Sequence, residues 1–257
     1  MTDTGSLATQ RLQSMVDDAA QIVFFGGAGT STDSGIPDFR SRDGLYNQVY
    51  DWPPEVILSR SFFNANPRQF YRFYRDRVVH PEAVPNPAHY RLAMMEQEGR
   101  LTGVITQNID GLHQMAGSQN VVELHGSIWR NHCLACGAHF DGLSAIMTSQ
   151  PVPTCSCGGL ICPDVVLYED PLDEAVLAAA VNLLQQADLL IIGGTSLVVY
   201  PAAGLVDYFA GDNIVVINKD GSAPGRRRAS LVITEPIGQV LGRLNIKPVS
   251  PQDASQP

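Results

Sequence analysis

The sequence has little positive charge. Its 257 residues include 17 Lys and Arg against 26 Asp and Glu, and the formal net charge is -9 at pH 7. Proteins that bind nucleic acid by neutralising phosphates carry a basic face, which this composition does not favour. We therefore expect no nucleic-acid partner. An acidic balance favours a cationic partner instead, such as a lysine-rich protein segment.

The chain also lacks a long uninterrupted apolar run. Its longest apolar stretch, residues 189–206, is broken by Gly193, Gly194 and Pro201. This pattern predicts a strand, a loop and a helix rather than a membrane span. The first 13 residues are polar and lack the basic start and apolar run of a secretory signal. We expect a cytoplasmic protein with no membrane partner.

Cysteine is scarce but clustered. Four of the five cysteines form two close pairs, Cys133/Cys136 and Cys155/Cys157. Without a secretory signal, such pairs indicate metal binding in a reducing compartment rather than disulfides. Four thiolates fill a tetrahedral zinc site, so we predict one structural zinc with no open position for catalysis. His132 and His139 are interpreted as solvated neighbours of this site, and Cys162 as a spare thiol.

Short apolar runs alternate with helical patterns along the chain. The predicted strands begin near Ile22, Gly103, Val121, Leu189, Ile214 and Leu231. Helical spacing covers residues 12–19, 88–98 and 173–187. This alternation is typical of a parallel sheet covered by helices on both faces. The sequence therefore predicts an α/β protein with a doubly wound core.

Two segments depart from this alternation. Residues 46–87 are rich in aromatic residues and proline, which predicts short helices in an inserted lobe, with the aromatic rings in its core. The cysteine segment, about residues 130–160, is rich in small and turn residues. We expect both segments to lie outside the main sheet.

A glycine turn follows the first predicted strand. Gly26 to Gly29 allow the backbone to approach a pyrophosphate, next to the free N–H groups of a helix start. Thr32 stands where a dinucleotide fingerprint has its third glycine, and no acidic residue ends the next strand to bind an adenosine ribose. The turn predicts a phosphate cradle and disfavours an ordinary dehydrogenase.

Polar or glycine-rich turns also follow the later strands. They contain Gln107, Asn108, Asp110, His125, Gly194, Thr195, Ser196 and Asn218. The carboxyl edge of a parallel sheet is where α/β proteins bind ligands, and polar residues bunched there seldom serve packing. His125 is a candidate general base, because an imidazole titrates near neutral pH.

These motifs occur in a specific order over about residues 22–240, nearly the whole chain. They are Gly27-Ala28-Gly29 with Ser31, Gly35 to Arg40, Thr106 to Asp110, His125-Gly126, the four paired cysteines, Gly194 to Leu197, and Asn218. This combination resembles the sirtuin (Sir2) family of bacterial NAD-dependent protein deacylases. The resemblance implies a Rossmann-like NAD-binding domain made of residues 1–45, 88–128 and 162–257. It also implies a small lobe with a helical module, residues 46–87, and a zinc module, residues 129–161.

The resemblance further implies a reaction and the residues that perform it. An acyl group would leave a protein lysine for NAD, giving nicotinamide and O-acyl-ADP-ribose. His125 and Asn108 would be catalytic, with His125 as a general base worth ~10²- to 10⁴-fold in rate. The implied NAD-binding residues are Gly27, Ala28, Thr32, Asp38, Phe39, Arg40, Gln107, Asn108, Ile109, Asp110, His125, Gly194, Thr195, Ser196, Asn218 and Ile237. The implied substrate-binding residues are Val165, Tyr168, Val198 and Val199, beside which an acyl-lysine peptide would add as a strand.

Three alternatives stay open beside a deacetylase, which we favour. Tyr74 and Arg77 have the spacing with which some family members bind an acidic acyl group, so a desuccinylase or demalonylase is the first alternative. A mono-ADP-ribosyltransferase would cleave the same cofactor and pass the sugar to a protein. A non-catalytic NAD-sensing module is disfavoured, since His125, Asn108 and Asp110 are all present.

Overall fold

The computed structural model describes residues 4–39, 44–47, 50–219 and 229–247. The strands are β1 Ile22–Gly26, β2 Leu101–Thr106, β3 Val121–Glu123, β4 Gly126–Cys133, β5 His139–Asp141, β6 Ile161–Val165, β7 Leu189–Gly193, β8 Asn213–Ile217 and β9 Leu231–Ile233. The α-helices are α1 Thr4–Asp18, α2 Pro54–Ile57, α3 Arg60–Ala65, α4 Pro67–Phe73, α5 Pro87–Gln97, α6 Leu112–Met115, α7 Ser144–Thr148, α8 Glu174–Gln186 and α9 Ile237–Gly242. Short 3-10 turns cover Ala28–Thr30, Thr32–Ser34, Leu45–Asn47 and Ala202–Tyr208, and a π-helical turn covers Tyr74–Val78.

The central sheet has six parallel strands in the order β3-β2-β1-β7-β8-β9. Strand β1 lies between β2 and β7, with Phe25 opposite Ile105 on one side and Ile192 on the other. The chain therefore winds outward from β1 in both directions. A sheet of this order opens a crevice at its carboxyl edge, where the winding reverses. The prediction of a doubly wound, Rossmann-like α/β sheet is confirmed.

The inner strands of this sheet are buried on both faces, and successive side chains along each strand point to opposite faces. Phe24 packs on one face with residues of α1, α5 and α9, including Leu12 and Leu92. Phe25 packs on the other face with α8 and the Ala202–Tyr208 turn. A fully buried side chain of this size contributes ~1.5–3 kcal/mol. Burial on both faces explains the continuous apolar runs in the sequence.

A smaller antiparallel sheet, in the order β5-β4-β6, lies outside the central one. It shares a core with the helices α2, α3 and α4, in which Phe63, Phe70 and Tyr71 are fully buried together with Cys133 and Ile161. The rings of Phe63 and Phe70 meet edge-on, with centroids 4.8 Å apart. The aromatic run is therefore core, as predicted, and the helical and cysteine segments form one small lobe.

Arg75 joins the helical part of the small lobe to its cysteine part. The side chain is buried, and its guanidinium donates to the carbonyl oxygens of Ile146 at 2.7 Å, Ser149 at 2.6 Å and Pro151 at 3.2 Å. Ile146 and Ser149 lie at the C-terminal end of α7, where carbonyls have no partner within the helix. A buried charge is tolerated when its donors are satisfied, so this set stabilises the lobe only while it is complete.

Two local details differ from the sequence-based expectations. Two 3-10 turns replace the helix expected after β1, and Gly35, with a left-handed φ of 85°, ends the second of them. His132 is not merely solvated, since its Nδ1 contacts the carboxylate of Asp164, whereas His139 is exposed. No helix in the described part of the chain is long and apolar enough to cross a membrane.

Candidate active site

Two glycine turns meet at the carboxyl edge of the central sheet, at the ends of β1 and β7. The N–H of Gly27 donates to the carbonyl of Gly193 at 3.2 Å, and that of Gly29 to Gly194 at 2.8 Å. A Cβ on Gly29 would lie 2.8 Å from the Gly194 Cα, and one on Gly27 would lie 2.7 Å from the Thr195 Cβ. Side chains at these positions would force the turns apart, so glycine is needed for this approach.

Ser31 connects the first glycine turn to the polar residues that follow β2. Its buried hydroxyl donates to Asp110 Oδ2 at 2.6 Å and accepts from Asn108 Nδ2 at 3.0 Å. The other Asp110 oxygen accepts from the Leu112 N–H at 2.9 Å. Burial raises the pKa of Asp110, and the hydrogen bonds from Ser31 and Leu112 oppose that rise. The structure thus brings Asn108 and Asp110 together and fixes their orientation.

Thr195 connects the ends of three strands, β2, β7 and β8. Its hydroxyl accepts from Gln107 Nε2 at 3.2 Å, and its carbonyl accepts from Asn218 Nδ2 at 3.1 Å. The hydroxyl also accepts from the N–H of Leu197 at 3.2 Å. Leu197 has a φ of 50°, which is uncommon for a residue with a side chain and is held by these contacts. Gln107, Thr195 and Asn218 therefore lie together, as predicted.

His125 lies between β3 and β4, beside the end of β2. Its Nδ1 is 2.8 Å from the carbonyl oxygen of Gln107. A carbonyl only accepts, so Nδ1 carries the proton and the neutral ring keeps a lone pair on Nε2. Burial lowers the pKa of His125, and the hydrogen bond to Gln107 opposes the shift. The ring is therefore mainly neutral at pH 7, and Nε2 is the atom able to accept a proton.

The loop after Gly35 carries two further predicted cofactor residues. The carbonyl oxygens of Asp38 and Phe39 accept from the N–H groups of Leu45 and Tyr46, both at 2.9 Å. The Phe39 ring packs edge-on against Tyr46 and stays 37% exposed. Phe39 is thus held in place while part of its ring remains accessible. Arg40 lies outside the described residues.

Three predicted cofactor residues make structural contacts near the edge. The Thr32 hydroxyl donates to the Gly29 carbonyl at 3.1 Å. Ile109 accepts at its carbonyl from the N–H of Ile128 at 3.0 Å. Ile237 is buried at the end of β7. The remaining two, Ala28 and Ser196, are half-buried within the two turns.

The predicted substrate-binding residues lie on two segments with different exposure. Tyr168 follows β6, is 37% exposed, and accepts at its carbonyl from the Arg60 N–H at 3.0 Å. Val165 is buried in the small-lobe core. On the other segment Val198 is 53% exposed, and Val199 is half-buried. Tyr168 and Val198 are therefore accessible to a partner, whereas Val165 is packed in the small-lobe core.

Tyr74 and Arg77 are not brought together. Tyr74 is 1% exposed and stacks on Phe70, with ring centroids 5.4 Å apart. Arg77 is exposed, and its guanidinium lies over the Tyr50 ring, 5.7 Å from the centroid. Both residues belong to the π-helical turn, which directs them into different surroundings. The spacing in the sequence did not reveal this, because it assumes an ordinary helix.

The four predicted metal ligands cluster in the small lobe. All four Sγ atoms lie within 4.8 Å of one another. The Cys133 and Cys157 sulfurs are 3.5 Å apart, and those of Cys136 and Cys155 are 3.8 Å apart. Thiolates around a tetrahedral zinc at ~2.3 Å are about 3.8 Å from each other. The donor set and spacing fit one structural zinc ion.

Two residues that shape the site were absent from the predicted site residues. Ser31 lies inside a motif that the sequence displayed, so its position was a usable signal. Trp129 donates from Nε1 to the Asp110 carbonyl at 2.7 Å, and a Cβ on Gly111 would lie 2.8 Å from its ring. Nothing in the sequence pointed to Trp129, because the contact depends on how β4 passes the end of β2.

Comparison with known sequences identifies one family along most of the chain. The model of the Sir2 family matches residues 27–201. An NAD-dependent protein deacetylase of Clostridium acetobutylicum is 52% identical over 233 residues, which is 90% of this chain and 95% of that protein. Another from Cutibacterium acnes is 51% identical over 235 residues, again 90% of this chain and 95% of that protein. The similarity extends over whole proteins rather than isolated motifs.

Solved structures show the same similarity in three dimensions. A Sir2–p53 peptide–NAD+ complex superposes with a TM-score of 0.80 at 36% identity, over 91% of this chain and 96% of that one. A Sir2 bound to acetylated peptide superposes with a TM-score of 0.79 at 34% identity, over the same shares of the two chains. Both are similar to this chain through the central sheet and the small lobe together.

Proposed function

This chain belongs to the Sir2 family, and we propose that it is an NAD-dependent protein deacetylase. It removes acetyl groups from lysine side chains of proteins and leaves nicotinamide and O-acyl-ADP-ribose as products. The observation that carries the proposal is His125, neutral and with Nε2 free to accept a proton, beside the Ser31-linked Asn108 and Asp110. The relatives that use NAD and acetylated peptide support the same assignment.

NAD is expected to lie along the carboxyl edge of the central sheet. The glycine turn with Gly27 and Ala28, and the facing turn with Gly194 and Ser196, would hold the phosphates and the adenosine side. The cofactor supplies a ribose carbon that is attacked by the acyl oxygen and a nicotinamide that leaves. Backbone N–H groups suit the anionic phosphates of a dinucleotide, whereas side-chain amides and a carboxylate suit its uncharged polar groups.

The residues after β2 would orient the reacting end of the cofactor. Gln107, Asn108 and Asp110 offer amide and carboxylate groups that match ribose hydroxyls and a carboxamide. Their mutual hydrogen bonds fix these groups before the cofactor binds, which favours reaction because no reorganisation is then needed. His125 Nε2 would take the proton from a ribose hydroxyl. The exposed part of the Phe39 ring would shield the reacting atoms from water.

The acetyl-lysine peptide is expected to bind as an added strand. One wall would be the end of β6 with Val165 and the segment after it with Tyr168, and the other would be the segment with Val198 and Val199. Backbone hydrogen bonds dominate this mode of recognition, so selectivity for the flanking sequence would be modest. We expect acyl-lysine proteins or peptides as partners and no nucleic acid.

We assign the zinc ion a structural role only. Four cysteines complete its coordination, and they lie in the small lobe rather than at the sheet edge. We propose the division into a large NAD-binding domain, residues 1–45, 88–128 and 162–257, and a small lobe of residues 46–87 and 129–161. We propose that the protein acts in the cytoplasm, because a four-thiolate zinc site needs cysteines that are kept reduced.

The acetyl group is favoured over an acidic acyl group. A succinyl or malonyl carboxylate would need a hydroxyl and a guanidinium in one place, and Tyr74 is buried while Arg77 is exposed. No specific observation favours transfer of ADP-ribose to a protein, which would need an acceptor side chain at the site.

The proposal is tested by incubating the protein with NAD and acetyl-, succinyl- or malonyl-lysine peptides of one sequence. We expect nicotinamide release that depends on the acetyl peptide, with stoichiometric loss of the acetyl group. Label from NAD that becomes attached to protein, with the peptide still acetylated, would support the ADP-ribosyltransferase instead. Nicotinamide release that is faster with the succinyl peptide would contradict the acetyl assignment.

A further inference from the structure

Asn86 directly precedes α5 and is buried, with 5% of its surface exposed. Its side-chain oxygen accepts from the Ala88 N–H at 2.9 Å, so Asn86 is the N-cap of this helix, and Pro87 occupies the first helical position. Capping uses only the oxygen of the amide. Both hydrogens of the amide nitrogen remain available for other partners.

The amide nitrogen of Asn86 holds the two 3-10 turns after β1, with one contact to each. It donates to the carbonyl of Thr30 at 2.8 Å and to the hydroxyl of Ser34 at 2.9 Å. The orientation of the amide is fixed by its surroundings, because the oxygen faces an N–H group and the nitrogen faces a carbonyl. Thr30 and Ser34 flank Ser31, whose hydroxyl binds Asn108 and Asp110.

His89 holds the backbone of Asn86 in turn. Its Nδ1 accepts from the Asn86 N–H at 3.2 Å, which completes a capping box. The His89 ring is fully buried, and burial lowers its pKa to about 4. The ring is therefore neutral at pH 7 and keeps Nδ1 as an acceptor. Asn86 is thus tied by its backbone to α5 and by its side chain to the two turns.

We propose that Asn86 is a positioning residue for the reaction: through Thr30 and Ser34 it fixes Ser31, and so sets the orientation of Asn108 and Asp110. The inference deepens the proposed function and rests on it for the identity of the cofactor. Asn86 acts from α5 and is 56 residues from Thr30 in sequence. Small misplacements of groups that orient a reactant cost up to ~100-fold in rate.

The test separates this role from helix capping. Asn86→Ser retains a capping oxygen but is too short to reach Thr30 and Ser34, so the helix keeps its cap. We expect the Kd for NAD, measured by calorimetry without peptide, to rise about tenfold, because Thr30, Ser31 and Ser34 are no longer held in place and must be ordered when NAD binds. The KM for the acetyl peptide should change less than twofold, and kcat should fall.

Two further variants keep the inference falsifiable. Ser34→Ala removes one of the two acceptors while leaving Asn86 as the cap, and we expect about a threefold rise in the NAD Kd. Asp173→Ala removes the cap of α8, which accepts from Ala175 and Val176 N–H groups, and should lower the melting temperature without changing the NAD Kd.

An unchanged NAD Kd in both Asn86→Ser and Ser34→Ala would overturn the inference. So would an equal rise in the Asp173→Ala control, because general destabilisation would then explain the effect. Calorimetry reads NAD binding without turnover, whereas the proposed function is judged by deacetylation with the unaltered chain. A chain that binds NAD but removes no acetyl group would therefore refute the proposed function while the positioning role is still measured.

Discussion

The large sheet and the small lobe are stabilised by different interactions. Every residue of β1 and β7 is buried, and the sheet has apolar clusters on both faces. The small lobe also has an apolar core, and in addition it has four cysteines within reach of one ion and the buried guanidinium of Arg75. Stability of the sheet rests on apolar contacts, whereas the lobe depends on a few polar groups in addition to its apolar core. We therefore expect the two regions to respond to different perturbations.

Removing zinc should have the largest effect, confined at first to the small lobe. Cys136→Ser takes away one of the four ligands, and we expect zinc to be lost and deacetylation to fall to background. Both tryptophans of the chain, Trp52 and Trp129, contact the small-lobe core or its helices. Tryptophan fluorescence should change while far-ultraviolet circular dichroism retains most of its signal.

The control for zinc removal is Cys162→Ser, which alters the buried fifth cysteine outside the four-thiol cluster. This variant should keep one zinc per chain. Simultaneous loss of the native fluorescence and circular dichroism signals in Cys136→Ser would show that the two regions unfold as one unit. That result would contradict the expectation that they respond to different perturbations.

Replacing Arg75 should destabilise the small lobe less than zinc loss does. Arg75→Met leaves the carbonyls of Ile146, Ser149 and Pro151 without their donor, and we expect a cost of about 3 kcal/mol. Urea unfolding followed by tryptophan fluorescence measures this cost. The matched control is Arg72→Met in the exposed part of α4, expected to change stability by less than ~0.5 kcal/mol.

Mild acid should act on the large sheet through two buried histidines. The rings of His89 and His113 lie 4.7 Å apart, and burial lowers the pKa of both below 6.5 in the folded chain. The unfolded chain then binds more protons, so stability is complete above pH 6.5 and is lost as pH falls below it. Between pH 7.5 and pH 6.0 we expect these two histidines to lower stability by about 1.5 kcal/mol.

His113→Leu sharpens this pH prediction. Neither ring nitrogen of His113 has a hydrogen-bond partner among the described residues. The variant therefore removes a titrating group without removing a side-chain hydrogen bond. The loss of stability between pH 7.5 and pH 6.0 should be smaller than in the parent chain by about 0.8 kcal/mol, while His89 and His125 still contribute. An unchanged pH dependence, measured by urea unfolding at each pH, would mean that other groups dominate.

The sequence predicted the central sheet well because its signals are local. Each apolar run from Ile22 to Leu231 became a strand of the parallel sheet, and burial on both faces accounts for the unbroken apolar residues of the inner strands. Strand β4 was not predicted. Its pairing with β6 shifts register between Ser127 and Asn131, which breaks the alternation that identifies a half-buried strand.

The site was predictable to the extent that it lies at strand ends. Gln107, Asn108, His125 and Thr195 were placed at one edge by topology, and the structure places them there. The hydrogen bonds that hold the site residues in place were not predictable, because the two residues that form each bond are distant in sequence. Ser31 binds Asp110 79 residues away, and no local pattern encodes that contact.

The central claim is that catalysis resides at the sheet edge in His125, while zinc serves the small lobe only. The most direct test measures nicotinamide release and zinc content on one sample of His125→Ala with NAD and acetyl-lysine peptide. We predict one zinc per chain, an unchanged fold and a rate lowered by ~10²- to 10⁴-fold. Release of nicotinamide and acetyl groups at the parent rate would contradict the account.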